Sequence, residues 1–297
     1  MNRRLQAMAG FLSLFLAVGP LLGDESGPSI PLRKGIVVDG NVDERAWKDV
    51  PWQGGFHVLA VKDTDDPQRK ADVQTQWRAA HDGQRLFIAV KCDEPAVKDM
   101  VIRSRNDRDG DIFRDNSIEV CLDPGKSAAS YAHFCINHAG AVYDAHCTSE
   151  NRHDVLSNPA WSIDLQSAVS IKDDHWTVEL AIPFYVLSIG TDSHMWGINV
   201  MRNRHVSIGG KNVEELSTQV PLRELFHQPD KFLAAELNEF DGAEFQWVLP
   251  APEDVRVERV GGKLQTLFTI RPVNRTGEFR IIDIVAKLEA EDKTATQ

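Results

Sequence analysis

The sequence contains none of the short motifs that mark the common enzyme classes. It has no G-x-S-x-G elbow, no H-E-x-x-H zinc motif, no P-loop and no G-x-G-x-x-G turn. With 44 Asp and Glu residues, many carboxylate pairs arise by chance, and none is marked as the catalytic pair of a glycosidase. These absences predict a protein that binds a ligand and is not an enzyme.

Basic residues are in the minority. The chain has 33 Lys and Arg against 44 Asp and Glu, which gives a formal net charge of −11 over 297 residues. Nucleic-acid phosphates and anionic lipid head groups would repel such a chain, so we expect neither nucleic acid nor membrane insertion. The hydrophobic fraction of 42% is typical of a globular protein with a substantial core.

Long apolar runs are missing except at the N-terminus. Arg3 and Arg4 precede an apolar stretch over residues 9–23, which is too short and too interrupted to span a bilayer. A positive start followed by such a stretch is typical of a secretory signal. We therefore predict a signal peptide over 1–23, a linker over 24–35 and a secreted or periplasmic location.

Cysteine is scarce, and its spacing is uninformative. The four cysteines are Cys92, Cys121, Cys135 and Cys147, and no two are spaced C-x-x-C. That spacing argues against a zinc site. In an oxidising compartment the four could form disulfides, in any of three pairings, or they could be buried free thiols.

Short strands with alternating apolar residues are abundant. Residues 36–240 contain roughly nine to eleven such segments, separated by turn residues such as Asp-Gly and Pro-Gly, and almost no helical pattern. This texture predicts an antiparallel β-sandwich of the jelly-roll kind. After Pro250-Ala251-Pro252, residues 251–297 are predicted to form a partial Ig-like β unit, either docked on the sandwich or belonging to a longer protein. Its predicted strands are 254–260, 264–273 and 279–289.

Two consecutive hairpins between residues 111 and 144 carry the candidate binding surface. Ile118, Val120 and Leu122 alternate with polar residues, which is the period of a half-buried strand. The opposite side carries Glu119, His133, Cys135 and Asn137, with Phe113 just before the first strand.

An aromatic ring beside a row of polar side chains suits a sugar. A pyranose offers an apolar face to a ring and hydroxyl groups to carboxylate, amide and imidazole groups. The alternative is an ordinary amphipathic sheet with one face in water.

An acidic segment precedes these hairpins. Asp107, Asp109, Asp111 and Asp115 surround Gly110, and alternating carboxylates near a glycine can wrap oxygen ligands around Ca²⁺. The segment is not an EF-hand, because the helix–loop–helix context and the final Glu are missing. A solvated acidic loop is the alternative.

Several segments together resemble the family 9 carbohydrate-binding modules, a β-sandwich family attached to xylanases and found in many secreted bacterial proteins. The resemblance covers about residues 36–240 and depends on the order of its motifs. These are Asp39-Gly40-x-x-Asp43-Glu44-x-x-Trp47, Asn116-Ser117-Ile118-Glu119-Val120 with Asp123, Trp176-x-Val178-Glu179-x-Ala181-Ile182-Pro183-Phe184, and Trp196-Gly197-x-Asn199-x-x-Arg202.

The resemblance implies a set of site residues. Two family Trp rings that sandwich a terminal sugar match Phe113 and Phe226, and the family's sugar-binding Glu matches Glu119. A sugar-binding Arg of the family falls at Cys135, which cannot supply the forked donors of a guanidinium. Family members also carry Ca²⁺, in keeping with the acidic segment.

The resemblance also matches Glu179 and Arg202 to recurring family positions. We predict that these two residues form a structural, at least half-buried pair that links adjacent strands.

The sequence thus predicts a secreted, non-catalytic carbohydrate-binding module within a carbohydrate-degrading system, beside a glycoside hydrolase. Its partner would be an oligo- or polysaccharide stacked between Phe113 and Phe226, with hydrogen bonds from Glu119, His133 and Asn137. Two alternatives stay open. One is a structural or adhesion module without sugar binding, and the other is a haem-binding electron-transfer domain with Met and His as axial ligands.

Overall fold

The computed structural model describes residues 27–104, 110–151, 154–187, 189, 194–245, 247–248, 253–261, 263–269 and 273–274. The predicted signal peptide and the predicted strand 279–289 lie outside these residues. Within them, no helix has both the length and the apolar character needed to cross a membrane.

Strands dominate the regular secondary structure of the described residues, and the helices are short. The strands, in chain order, are β1 (Ser29–Ile30), β2 (His57–Val58), β3 (Thr75–His81), β4 (Arg85–Asp93), β5 (Ser117–Pro124), β6 (Ser130–Asn137), β7 (Val142–Asn151), β8 (Asp154–Asn158), β9 (Gln166–Ile171), β10 (His175–Pro183), β11 (Met195–Ile208), β12 (Lys211–Thr218), β13 (Leu233–Leu237), β14 (Trp247–Val248), β15 (Glu253–Val260), β16 (Lys263–Thr269) and β17 (Val273–Asn274). Short 3-10 helices span Arg45–Trp47, Val97–Asp99, Ile112–Arg114, Phe184–Val186, Pro229–Lys231 and Gly242–Phe245.

The first thirteen strands form two sheets. The nine-stranded sheet has the order β1-β13-β11-β5-β6-β7-β8, with β12 paired to β11 and β2, and the four-stranded sheet has the order β3-β4-β10-β9. All these pairs are antiparallel except β1 with β13. The predicted antiparallel β-sandwich is confirmed. Ser29–Ile30 lies inside the predicted linker but forms strand β1, because it pairs with β13.

The space between the sheets is filled by alternate residues of each strand. Ile118, Val120 and Leu122 of β5 are fully buried and belong to one apolar cluster with Trp176 and Val178 of β10. Side chains of a strand alternate between its two faces, so the residues between these point the other way.

The face of the nine-stranded sheet turned away from the four-stranded sheet is here called the outer face. It carries a second apolar cluster that includes Cys121, Cys135, Cys147, Tyr131 and Met201. Segments that cover this face contribute Leu59, Leu222, Phe226 and Phe232. This cover explains why thiols on the outer face are buried. All four cysteines of the chain are free and buried, as in the free-thiol alternative.

The predicted pairing of Glu179 with Arg202 is wrong. Val178 lies in the interior, so the strand period turns Glu179 to the opposite face of the four-stranded sheet, where it accepts a hydrogen bond of 3.0 Å from Trp47 Nε1. Arg202 lies on the other sheet and points into the interior, where it meets Glu94.

The chain after the sandwich contains two further strand pairs. The β15–β16 hairpin corresponds to the predicted strands 254–260 and 264–273, and residues 270–272 of the second lie outside the described residues. Strands β14 and β17 form a short antiparallel pair. The Ig-like character of this region stays a prediction.

Candidate functional site

A cleft of about 510 Å³ opens on the outer face of the nine-stranded sheet. It brings together Phe113, Glu119, His133 and Phe226, four of the five residues predicted to contact a ligand. The complete lining is Leu59, Phe113, Glu119, His133, Tyr143, Val155, Ser157, Asn203, Leu216, Glu224, Leu225, Phe226 and His227.

Strand register explains why the floor of the cleft contains these side chains. Glu119 on β5 lies opposite Cys135 on β6, and Cys135 lies opposite Tyr143 on β7. On the other side, Glu119 lies opposite Met201 on β11. Directly opposed residues share a face, so one row of outward-pointing residues crosses four strands. His133 and Asn203, two positions along their strands from this row, point to the same face.

The Glu119 carboxylate is the centre of a buried hydrogen-bond network. Its Oε2 lies 2.7 Å from His133 Nε2, and its Oε1 accepts a hydrogen bond of 2.7 Å from Asn203 Nδ2. Burial by itself raises the pKa of Glu119, but the hydrogen bond and charge of His133, with smaller contributions from His227 and Asn203, hold that pKa below its ordinary value. Burial lowers the pKa of His133, but Cys147 and Glu119 outweigh it and raise that pKa to about 9. The carboxylate is therefore a preorganised acceptor.

Aromatic rings border this network. The Phe113 ring lies nearly parallel to the His133 imidazole, with centroids 6.4 Å apart, and edge-on to Tyr143, with centroids 5.1 Å apart. Phe226 lines the cleft from the segment after β12 and is 7% exposed. A ligand in the cleft would meet apolar ring surface beside a carboxylate and an amide.

A family model fits this chain. The model described as carbohydrate family 9 binding domain-like matches residues 38–239, which include the whole cleft. The chain belongs to this family. The family 9 identity predicted from the order of the sequence motifs is therefore confirmed. Membership of a family of binding modules supports the expectation that this domain has no catalytic activity of its own.

Solved structures similar to this family 9 domain include a candidate carbohydrate-binding protein from Bacteroides uniformis ATCC 8492. It is 17% identical, with a TM-score of 0.51 over 72% of this chain and 100% of that chain, and shows a shared fold. A family 9 carbohydrate-binding module from Caldicellulosiruptor kristjanssonii, in complex with cellotriose, is 15% identical, with a TM-score of 0.46 over 71% of this chain and 92% of that chain. The same comparison found its complex with glucose, 15% identical, with a TM-score of 0.45 over 71% and 95%. A comparison with curated proteins found no match.

Asn137, the fifth predicted ligand contact, does not line the cleft. Its Nδ2 donates to Ser104 O at 2.8 Å and to Asp115 Oδ2 at 2.9 Å, and its Oδ1 accepts from the backbone N–H groups of Ala139 and Ala141. Asn137 is the last residue of β6, where the chain turns, so its amide satisfies the turn. The prediction that Asn137 contacts a ligand is wrong, because both hydrogens of its amide group already bind protein oxygens and none is left for a ligand.

The described part of the acidic segment does not form a shared set of calcium ligands. Asp115 is fully buried and accepts hydrogen bonds from the backbone N–H groups of Arg103 and Ser104, besides Asn137. Asp111 is exposed and pairs with Arg114 at 3.2 Å. Their oxygens are engaged by different partners, which does not suit the six to eight oxygen ligands of Ca²⁺. Asp107 and Asp109 lie outside the described residues.

Sequence reasoning missed His227, Tyr143 and Asn203 as members of the site. His227 Nδ1 lies 2.6 Å from Tyr131 Oη, and its ring meets that of His133 edge-on, with centroids 4.7 Å apart. Burial first, and then the charge of His133, lowers the pKa of His227 to about 4. Strand parity could have placed Tyr143 and Asn203 on this face. For His227, the only signal in the sequence was its place directly after Phe226, a predicted site residue.

One group of metal-ligating side chains converges among the described residues. The donor atoms of His133, Cys147 and His227 all lie within 4.8 Å of one another. His133 and His227 line the cleft, and Cys147 lies behind them in the apolar cluster of the outer face.

Proposed function

We propose that this chain is a secreted, non-catalytic module that binds a sugar in the outer-face cleft and serves a carbohydrate-degrading system. One observation carries the proposal. Phe113 and Glu119 are near neighbours in the sequence and Phe226 is far from both, yet all three, matched to sugar-binding positions by resemblance alone, line one cleft. A cleft of about 510 Å³ falls in the usual range for small-molecule sites.

The chemistry of the lining suits a sugar ring. Phe113 and Phe226 offer apolar faces to the C–H groups of a pyranose. Each oxygen of Glu119 accepts one hydrogen bond from the protein, and a carboxylate oxygen has a second lone pair that can accept from a sugar hydroxyl. Because His133 and Asn203 hold the carboxylate in place, little side-chain entropy would be lost on binding.

The residue at the position of the family's sugar-binding Arg determines which sugar hydroxyls the cleft can recognise. Cys135 occupies that position and is fully buried, so the floor has no forked donor for a pair of adjacent hydroxyls. Both amide hydrogens of Asn203 are engaged by Ser117 Oγ and Glu119 Oε1, so recognition would depend mainly on Glu119. We propose a ligand that is recognised by stacking on the rings and by donating a hydroxyl hydrogen bond to this carboxylate.

Isothermal titration calorimetry with mono- and oligosaccharides tests the proposal. We expect binding that Phe226→Ala abolishes or weakens about tenfold or more, since aromatic anchors contribute most of the energy of such sites. Tyr185→Ala is the matched control, because Tyr185 is an exposed aromatic residue that does not line the cleft. The proposal would be contradicted if none of the sugars gave a heat of binding, or if the two variants bound sugar with equal affinity.

The two alternatives would give other results. The structural or adhesion module is favoured by the self-contained network of Glu119, His133 and Asn203, and it predicts no heat with any sugar. The haem-binding domain has less support, because no Met lines the cleft in the described residues and the His133 and His227 rings touch edge-on, with no space for a porphyrin between them. A Soret band in the purified protein would establish it.

Calcium remains a separate proposal with little support in the described residues. If Asp107 and Asp109 held Ca²⁺ with Asp111, calcium would raise the melting temperature, because an ion that binds only the folded state stabilises it. An unchanged melting temperature of the purified protein in millimolar Ca²⁺ would contradict it.

A further inference from the structure

Three soft or borderline metal ligands meet where the cleft borders the apolar cluster of the outer face. His133 on β6 and Cys147 on β7 are diagonal neighbours on one face, since His133 lies opposite Ala145 and side chains two positions apart share a face. His227 arrives from the segment after β12. Their donor atoms lie within 4.8 Å of one another.

We propose that His133, Cys147 and His227 bind a transition-metal ion of the zinc type. Imidazole nitrogen and thiolate sulfur are preferred ligands of Zn²⁺ and its neighbours, whereas Ca²⁺ and Mg²⁺ prefer oxygen. With metal–ligand bonds of about 2.0 Å to nitrogen and 2.3 Å to sulfur, tetrahedral donors lie about 3.5 Å apart. From their present separation of at most 4.8 Å, the three donors would need to approach one another by little more than about 1 Å when a metal binds.

Groups around the three ligands already orient them. Glu119 Oε2 holds His133 Nε2 at 2.7 Å, so the nitrogen available to a metal on this residue is Nδ1. The carboxylate–histidine–metal arrangement is the usual second layer of a zinc site, where it fixes ring orientation and raises ligand basicity. Tyr131 Oη engages Nδ1 of the second imidazole, that of His227, at 2.6 Å. Two independent contacts thus restrain both rings.

The site has the ligand count of an open metal centre. Three protein ligands leave one tetrahedral position, and two of the three ligands line the cleft while Cys147 does not. Since two of the ligands line the cleft, water or an oxygen of a bound ligand would reach the remaining position from the cleft. This inference goes beyond sugar binding and does not depend on it.

Cobalt absorption tests the proposal directly. Reduced protein without a histidine tag is titrated with Co²⁺ in the absence of sugar, because Co²⁺ substitutes for Zn²⁺ and absorbs when a thiolate binds it. We expect one equivalent to produce a sulfur-to-cobalt charge-transfer band and tetrahedral d–d bands, both removed by excess Zn²⁺. Absence of these bands would overturn the proposal, whatever calorimetry shows for sugars.

Two variants assign the ligands. Cys147→Ser should abolish the charge-transfer band. Cys135→Ser removes another fully buried thiol of the same face, which does not belong to the His133–Cys147–His227 group, and should keep the band. His227→Gln changes a residue on a covering segment and should weaken Co²⁺ binding at least about tenfold if Cys147→Ser fails to fold. An unchanged band in folded Cys147→Ser, or unchanged affinity in His227→Gln, would overturn the assignment.

Discussion

Arg202 and Glu94 form a completely buried ion pair that joins the two sheets. Arg202 Nη2 lies 3.0 Å from Glu94 Oε2, and neither side chain is exposed to solvent. Arg202, on β11, also donates from Nη1 to Asp93 O at the end of β4, at 2.7 Å. Arg204 donates to the other oxygen of Glu94 at 2.9 Å. One carboxylate is thus shared by two guanidinium groups between the sheets.

Glu94→Gln is expected to destabilise the fold strongly. It leaves Arg202 and Arg204 without their buried counter-charge, and breaking such a pair from one side costs about 3–5 kcal/mol. Urea unfolding monitored by tryptophan fluorescence measures the loss. Asp72→Asn is the control, because Asp72 pairs with Arg69 at 2.9 Å on the surface and its loss should change the free energy of unfolding by less than about 1 kcal/mol. Equal losses in the two variants would refute the structural role of Glu94.

The same pair predicts how stability depends on pH. Burial raises the pKa of Glu94, but the hydrogen bond from Arg204 and the charge of Arg202 outweigh burial and lower the pKa in the folded state. The unfolded chain therefore binds the proton more readily, so the stabilisation is complete above about pH 4.3, the ordinary Glu value, and is lost as pH falls through the folded pKa. We expect the difference in unfolding free energy between the wild type and Glu94→Gln to shrink below that pH. A difference independent of pH down to acid would contradict this.

Phe113→Ala is expected to weaken sugar binding by about 1–3 kcal/mol, which is the usual contribution of an aromatic anchor. Phe113→Trp should keep or improve the affinity, because an indole offers a larger stacking face. Calorimetry with the sugar that binds the wild type most tightly checks both variants, and thermal unfolding checks that each is folded. An affinity unchanged in folded Phe113→Ala would remove this residue from the site.

Asn137→Ala should affect stability and leave sugar affinity unchanged. Its amide oxygen accepts a hydrogen bond from the turn after β6, and its amide nitrogen donates one to buried Asp115. Removing the side chain should therefore lower the free energy of unfolding by about 2 kcal/mol. Asn203→Ala is the matched comparison, since Asn203 holds Glu119 and lines the cleft. It should lower sugar affinity about tenfold. The opposite pattern, with affinity lost only in Asn137→Ala, would restore Asn137 to the binding site.

Strand patterning predicted much of the sandwich. The alternation of Ile118, Val120 and Leu122 correctly located the interior face, and with it the outward position of Glu119 and His133. The same parity argument failed for Asn137, because a residue at the end of a strand is free to serve the turn. The absence of a C-x-x-C spacing argued against a zinc site. That criterion could not detect the His133–Cys147–His227 group, because its members come from three separate segments.

Local chemistry in the sequence decided the fold class and which side chains point away from the core, because the period of a strand depends only on the backbone of that strand. The motifs in their order also decided the family. Which residues meet was decided by strand register and sheet packing, which bring together distant parts of the chain. This is why Arg202 pairs with Glu94 and not Glu179, and why His227 lies beside His133. Such contacts depend on the free energy of the whole packed structure, and no single segment encodes them.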